Sequence, residues 1–161
     1  MPERAELLEA LRHADPDVRR RAARALDHLP LDERTVEALI ELARRETIPA
    51  VRSAAVHVLA CEGCKSEACQ TSHDIVGFLI DILRNDVSAD VRRQTIDGLR
   101  SADTAPRVQA ALREALNDAA FKIRWKAAYI LPFEEREAIR TNRSGVRAGS
   151  RVTAADDPSP Y

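Results

Sequence analysis

Residues 15–22 read DPDVRRRA, and this stretch decides the fold because its pattern returns three times along the chain. Its centre is a β-branched residue followed directly by arginine. Four such pairs occur: Val18-Arg19, Val51-Arg52, Val91-Arg92 and Ile123-Arg124. Mainly apolar or small residues follow each pair at offsets of four, five and eight from its first position. This spacing predicts one face of an α-helix in each of the four segments.

A second amphipathic segment precedes each of these helices, so every unit is predicted to be a helical hairpin. The turns within the hairpins carry residues that begin helices, as in Asp15-Pro16-Asp17. A hairpin cannot bury its apolar face alone, and stacked hairpins form a solenoid with an extended concave surface. The sequence therefore predicts an all-α solenoid of about four hairpins over residues 1–133, wound as a right-handed superhelix. Residues 134–161 are predicted to form a short helical extension and a disordered tail.

The stretch at 15–22 and its echoes resemble HEAT repeats of the bacterial phycobilisome-lyase-like type, over roughly residues 3–133. The resemblance implies the same hairpin fold. It also implies a structural role for the arginine of each pair, which would bind an aspartate of a turn. The matching residues are Arg19, Arg52, Arg92 and Arg124.

Composition narrows the possible functions. The 25 basic and 26 acidic residues nearly balance, so a nucleic-acid partner is not expected. The sequence contains no phosphate-binding glycine loop, nucleophile elbow or zinc-protease helix, and we expect no enzymatic activity. No apolar stretch is long enough for a membrane span or a secretory signal. We expect a monomeric bacterial protein of the cytoplasm that binds another protein through its concave surface.

One connection between hairpins is longer than the others. The first positions of the four pairs are 33, 40 and 32 residues apart, counted from 18 to 51, 51 to 91 and 91 to 123. All three cysteines of the chain, Cys61, Cys64 and Cys69, lie in the longest connection. We define the insert as residues 61–73.

The insert and its neighbours read His57-x3-Cys61-x2-Cys64-x4-Cys69-x3-His73. Three thiolates and one imidazole suit a closed tetrahedral zinc site. His57 and Cys61 are four residues apart and would share one helix face. We therefore predict a structural zinc site formed by His57, Cys61, Cys64 and Cys69, with His73 as the alternative fourth ligand.

Two other interpretations of the cysteines stay open. Cys-x2-Cys is also the spacing of redox dithiols, and oxidation of a zinc-bound insert would make it a thiol sensor. The position of Cys61 near a helix C-terminus disfavours a free redox pair, because the helix dipole opposes a thiolate there. Unligated thiols without a role are the second possibility.

The binding role has an alternative as well. Some HEAT-like proteins act on cofactors or nucleic acids through the concave surface, and Trp125 beside Arg124 could stack a base. A second interpretation of the aromatic residues near the last pair is that they cover the end of the stack, where no further hairpin follows. These residues are Phe121, Trp125, Tyr129 and Phe133.

Overall fold

The computed structural model describes residues 3–60 and 71–137, and within these ranges every regular element is a helix. The three cysteines and the segment 138–161 lie outside the described residues. The helices are α1 (Arg4–Ala10), α2 (Pro16–Leu26), α3 (Glu33–Arg45), α4 (Pro49–Ala60), α5 (Ile75–Asn85), α6 (Ala89–Gly98), α7 (Pro106–Ala115) and α8 (Phe121–Ile130). A 3₁₀ turn, Leu99–Ala102, follows α6.

Acidic residues and prolines mark the helix starts, as the sequence predicts. The carboxylate of Asp15 accepts a hydrogen bond from the backbone N–H of Asp17 at 2.8 Å, at the start of α2. Asp32 accepts from the N–H of Thr35 at 2.8 Å and so caps α3. These contacts satisfy backbone donors that the first helical turn leaves without partners.

The helices pair in order as four hairpins, α1/α2, α3/α4, α5/α6 and α7/α8, and the hairpins stack one on the next. The second helices α2, α4, α6 and α8 pack against one another in series. They pack against one another more extensively than the first helices do, and we take the second-helix layer as the inner side of the stack. The predicted α-solenoid of four hairpins is confirmed.

One continuous core runs through the stack, and the repeated offsets supply much of it. In the second hairpin, for example, Val51, Ala55, Val56 and Leu59 are all buried. Two of the sixteen offset positions, Val18 and Ala128, are only half-buried. They lie in the first and last hairpins, each of which packs against one neighbouring hairpin instead of two.

The contact between α4 and α6 is close enough to require a glycine. A Cβ atom added to Gly98 would lie 2.1 Å from the Cβ of Ala60, far inside van der Waals contact. Ala60 is the last residue of α4, so its Cβ is fixed by the backbone and cannot move aside. Gly98 therefore permits tight packing at the junction that carries the insert.

A further helical segment begins after α8, at residues 133–137. The guanidinium of Arg113 on α7 binds the carboxylate of Glu135 at 2.6 Å. Arg84 on α5 binds Glu114 on α7 in the same manner, at 2.7 Å. The segment thus continues the first-helix layer and lies where the first helix of a fifth hairpin would begin.

No helix in the ranges 3–60 and 71–137 is long and apolar enough to cross a membrane.

Candidate functional site

Three of the four repeated arginines bind a carboxylate of the following hairpin through two hydrogen bonds. Arg52 Nε and Nη2 each lie 2.8 Å from an oxygen of Asp86. The matching pairs are Arg19 with Glu46, at 2.6 and 3.0 Å, and Arg92 with Asp118, at 2.8 Å for both contacts. We call these three pairs the ladder. The expected binding of a turn aspartate is confirmed for Arg52 and Arg92, whereas Arg19 binds a glutamate; the structure adds that the acid belongs to the next hairpin.

The third nitrogen of each ladder arginine holds its own turn in place. Nη1 of Arg52 donates to the carbonyl oxygens of Glu46 and Thr47 at 3.1 and 3.0 Å. The Arg52 and Asp86 side chains are only 9% and 4% exposed. Each arginine therefore joins the turn of one hairpin to the next hairpin, in surroundings from which water is largely excluded.

The ladder changes the acidity of its carboxyl groups. The hydrogen bond from Arg19 lowers the pKa of Glu46, although burial acts in the opposite direction. For Asp118, burial is the largest influence and would raise the pKa, but hydrogen bonds from Arg92 and the backbone N–H of Ala120 outweigh it and lower the pKa. Both carboxyl groups are thus held in the charged form that the arginines bind.

The acid of each hairpin stands six residues before the repeated arginine. Glu46 precedes Arg52 in this way, as Asp86 precedes Arg92 and Asp118 precedes Arg124. Each acid also accepts from the backbone N–H two residues later, as Glu46 does from Ile48 at 2.9 Å.

The first hairpin has a neutral acceptor, His13, at this position. Its Nδ1 accepts from the N–H of Asp15 at 3.0 Å. His13 therefore performs the local role of the acid within the turn. Among the described residues no ladder arginine precedes the first hairpin, so its turn has no cation to bind.

The fourth arginine, Arg124, makes only half of these contacts. Its Nη1 donates to the carbonyl oxygens of Asp118 and Ala119 at 2.7 and 2.8 Å. Its guanidinium lies 5.7 Å from the ring centre of Phe121. Within the part of the chain that the structure describes, no carboxylate binds Nε or Nη2 of Arg124.

Three aromatic side chains of the last second helix, which we call the aromatic row, are exposed, and so is Phe133 at the start of the segment that follows it. Their exposed fractions are 66% for Phe121, 59% for Trp125, 53% for Tyr129 and 64% for Phe133. The rings of Trp125 and Tyr129 stack with centres 5.6 Å apart and planes inclined by 12°. These rings are more than half exposed and form an apolar surface at this end of the described stack. The interpretation that they cover the end of the stack stays a prediction.

His57 lies on α4 between two neighbouring second helices. Its Nε2 is 3.2 Å from Oδ2 of Asp27, and its Nδ1 is 3.3 Å from the amide nitrogen of Gln94 on α6. An amide nitrogen can only donate, so Nδ1 accepts and Nε2 carries the proton that Asp27 binds. The other carboxylate oxygen of Asp27, Oδ1, is buried and has no hydrogen-bond partner. His57, Gln94 and Asp97 also line a shallow recess of about 320 Å³.

His73, the alternative zinc ligand, occupies a different part of the molecule. Its Nε2 lies 3.5 Å from Oε1 of Glu33 at the start of α3, in the first-helix layer. Glu33 also accepts from the backbone N–H of Ser72 at 2.9 Å, and hydrogen bonds chiefly from Ser72 and Thr71 lower its pKa to about 2. The returning end of the insert is therefore anchored to α3, whereas His57 contacts α2 and α6.

The predicted sulfur ligands Cys61, Cys64 and Cys69 lie outside the described residues. In the ranges 3–60 and 71–137, no group of three or more His, Cys, Asp or Glu side chains could hold a metal ion. The zinc site thus stays a prediction, and of its ligands the structure places His57 and His73.

Sequence reasoning missed two partners of His57, Asp27 and Gln94. A signal for Asp27 was present, because it directly follows the last core leucine of its helix. The residues that take this place in the other hairpins are Ala60, Arg100 and Pro132. An acid at an otherwise non-acidic frame position, and buried to 6% exposure, indicates a specific partner.

Comparisons with known proteins agree with this architecture. Residues 4–71, less than half of the chain, match the family model described as HEAT repeats. The crystal structure of an engineered protein is similar, with a TM-score of 0.53 at 15% sequence identity. The similarity covers 81% of this chain but only 61% of the engineered protein, and at this identity it shows the fold alone. No curated protein matches the chain at a significant level.

Proposed function

We propose that this chain is a non-enzymatic protein-binding scaffold that engages another protein through its inner surface, meaning the exposed side of α2, α4, α6 and α8. The observation that carries this proposal is the aromatic row on α8, where Trp125 and Tyr129 stack in the open. Aromatic side chains are enriched at the centres of protein interfaces and are rarely exposed together without a partner. The matching positions of α2 and α6 are charged, which suits the polar rim of such an interface.

Charge pairing on the inner surface favours a protein over a nucleic acid. Lys126 lies 2.5 Å from Asp97, and Lys122 lies 2.6 Å from Asp90. Cations that already hold carboxylates contribute little to binding a phosphate backbone, which depends on neutralising phosphates and releasing their counterions. The inner surfaces of α6 and α8 therefore offer less unpaired positive charge than the nucleic-acid alternative requires.

A photo-activated cross-linker tests this proposal by position. We expect a linker at residue 125 to capture one defined protein in cells, because this position is central to the aromatic row. The matched control is a linker at Arg45, an exposed residue of α3 in the first-helix layer, and it should not capture that protein. Capture of nucleic acid from residue 125, or equal capture of the same protein from both positions, would contradict the proposal.

We also propose that zinc bound by His57, Cys61, Cys64 and Cys69 holds the insert in a fixed shape. The support is the arrangement of His57, whose Nε2–H is directed at the Asp27 carboxylate. A zinc-bound histidine typically donates its other N–H to a carboxylate in this way, which orients the ring and raises its basicity. The lone pair of Nδ1 is then the ligating position, and the amide of Gln94 would yield it to the metal.

Elemental analysis of protein purified under reducing conditions tests the zinc proposal. We expect one zinc per chain, lost in His57→Ala and Cys64→Ser but retained in the matched control His73→Ala. Asp27→Asn should weaken zinc binding by about 10- to 100-fold while leaving the ligands in place. Wild-type protein without stoichiometric metal would refute the site, and loss of zinc only in His73→Ala would reassign the fourth ligand. Release of zinc by mild oxidant would support the sensor alternative.

A further inference from the structure

We propose that the inner surface continues onto the C-terminal end of the stack, where it takes the end of a helix from a different protein that presents a carboxylate directly after its last turn. We define the end surface as Arg124 together with the exposed rings of Phe121, Trp125 and Tyr129. This proposal rests on the proposed protein-binding function, because the two share Trp125 and Tyr129, and it is independent of the zinc proposal.

The three complete ladder pairs indicate which chemical group Arg124 can bind. In the three complete pairs, Nε and Nη2 of the arginine bind both oxygens of one carboxylate from the neighbouring hairpin. Two of those acids, Glu46 and Asp86, are the residues that end a first helix. Arg124 has the same hold on its own turn, and so the same two nitrogens are positioned for a carboxylate at a helix end.

The aromatic row adjoins the place where such a helix would lie. His57 and Asp97 occupy the same frame position as Tyr129, six residues after the first position of the pair. Both of them contact the next second helix, through Gln94 and Lys126 respectively. The Tyr129 position is therefore one at which the preceding helices meet their neighbours. The end surface continues an interface that the chain already uses three times.

The sequence of this chain does not supply the carboxylate at the expected register. In the two junctions without an insert, the acid follows its arginine by 27 and 26 residues. The same intervals from Arg124 lead to Arg151 and Ser150, and no Asp or Glu occurs between residues 138 and 155. At the register of the two junctions without an insert, this chain therefore has no acid for Arg124. Its next acids, Asp156 and Asp157, would need a connection nearly as long as the one that carries the insert, and the test below includes them.

A second copy of this chain stacked end to end lacks the required acid as well. The first hairpin carries the neutral His13 at the position where the other hairpins have Glu46, Asp86 and Asp118. A copy placed against Arg124 would therefore bring an imidazole to the guanidinium. Charge complementarity favours a different protein with an acidic helix end.

A peptide probe tests the end surface, with Trp125 as the reporter because it is the single tryptophan of the chain. The probe is residues 110–120 of this protein, the second half of α7 with the ladder acid Asp118, because residues 133–137 already lie where a longer first helix would begin. Its helix is locked by Ala110→Lys and an amide link to Glu114, since both positions are exposed. We expect saturable changes in Trp125 emission when this peptide is titrated into the full chain.

Matched peptides and variants isolate the carboxylate contact. The Asp118→Asn peptide should bind at least about tenfold more weakly, and Arg124→Gln protein should lose the difference between the two peptides. Arg124→Lys keeps the charge but not the two-pronged contact, and should restore only part of the preference. Because the peptide substitution leaves the protein intact, the test does not depend on the stability of the Arg124 variants.

Three outcomes would overturn the proposal. The first is an absence of binding at millimolar peptide, and the second is equal binding of the Asp and Asn peptides. The third is that the face is already occupied by this protein itself. In that case a chain ending at Asn142 would show altered Trp125 emission before any peptide is added, pointing to Asp156 and Asp157 as the acids. Concentration-dependent self-association lost in Arg124→Gln would likewise assign the face to a second copy.

Discussion

The junction between the second and third hairpins and the open end of the fourth use the same arginine in opposite circumstances. At the junction, Arg52 is 9% exposed and binds Asp86, whose side chain is 4% exposed. At the end, Arg124 holds its own turn but binds no carboxylate among the described residues. The difference teaches that the repeated Val-Arg or Ile-Arg pair defines the turn within a hairpin. The acid of the next hairpin decides whether the arginine also fastens two hairpins together.

Removing the arginine at the two sites should give the largest contrast. Arg52→Ala leaves the buried carboxylate of Asp86 without its cation, and we expect a loss of about 3–5 kcal/mol in the free energy of unfolding. Arg124→Ala removes the contacts to two carbonyl oxygens and to the ring of Phe121, with an expected loss of about 1 kcal/mol. Urea unfolding followed by circular dichroism measures both values. Equal losses would show that the carboxylate adds nothing to the junction.

The close contact at the same junction can be tested at a glycine. Gly98→Ala forces a methyl group against Ala60, and we expect a loss of about 1–3 kcal/mol because neither backbone can move freely. Gly77→Ala is the comparison variant. The atoms nearest to its new Cβ belong to the exposed carboxylate of Asp74, which caps α5 and binds Arg107, so it tests a displaced surface side chain instead of a clash between helices. Thermal unfolding compares the two variants. A Gly98→Ala protein as stable as the wild type would mean that α4 and α6 are packed less tightly than the structure shows.

The smallest effect is expected for the pH dependence of the free energy of unfolding. This dependence should differ between a ladder acid and an ordinary surface acid. The folded-state pKa of Glu46 lies below its usual value of 4.5, so its stabilising contribution is fully present above that pH. The contribution is lost as the pH falls through the lowered value. Glu46→Gln should cost about 1 kcal/mol at neutral pH and should flatten the loss of stability below pH 4.5.

Glu41→Gln is the control for this measurement, because Glu41 is half exposed and pairs with Arg45 on the surface. We expect it to change the free energy of unfolding by less than about 0.5 kcal/mol at any pH. Urea unfolding over a pH series gives both profiles. If the free energy of unfolding of Glu46→Gln changed with pH in parallel with that of the wild type, the charge of Glu46 would not contribute to stability.

Much of the fold could be predicted from the sequence because the repeat states it four times. The offsets from Val51, for instance, indicate which side of α4 is buried. Where one hairpin has an irregular residue, the pattern can still be recognised from the other three. Local chemistry also sufficed for the helix starts, where Asp15 and Asp32 act within three residues of their own position. These features depend on short-range geometry, which a single sequence contains.

The contacts between hairpins were predicted only in part, because they join residues far apart in the sequence. That Arg52 binds an acid follows from the resemblance, but the choice of Asp86, 34 residues later, depends on how the hairpins stack. The partners of His57 belong to α2 and α6, and no local pattern connects either of them to α4. Stacking, once known, turns the spacing of six residues between acid and arginine into a usable signal.

One consequence of the pair formed by Arg52 and Asp86 concerns the tolerance of this chain to change. The pair closes the 34-residue path that contains the whole insert, and its hold on the two hairpins does not involve any residue of the insert. Lengthening a loop whose ends are already fixed adds little entropic cost. The junction between the second and third hairpins is therefore fastened independently of the insert, and we expect it to tolerate a change in the length or sequence of the insert. New recognition loops could be grafted between Ala60 and Thr71 without redesign of the scaffold beneath them.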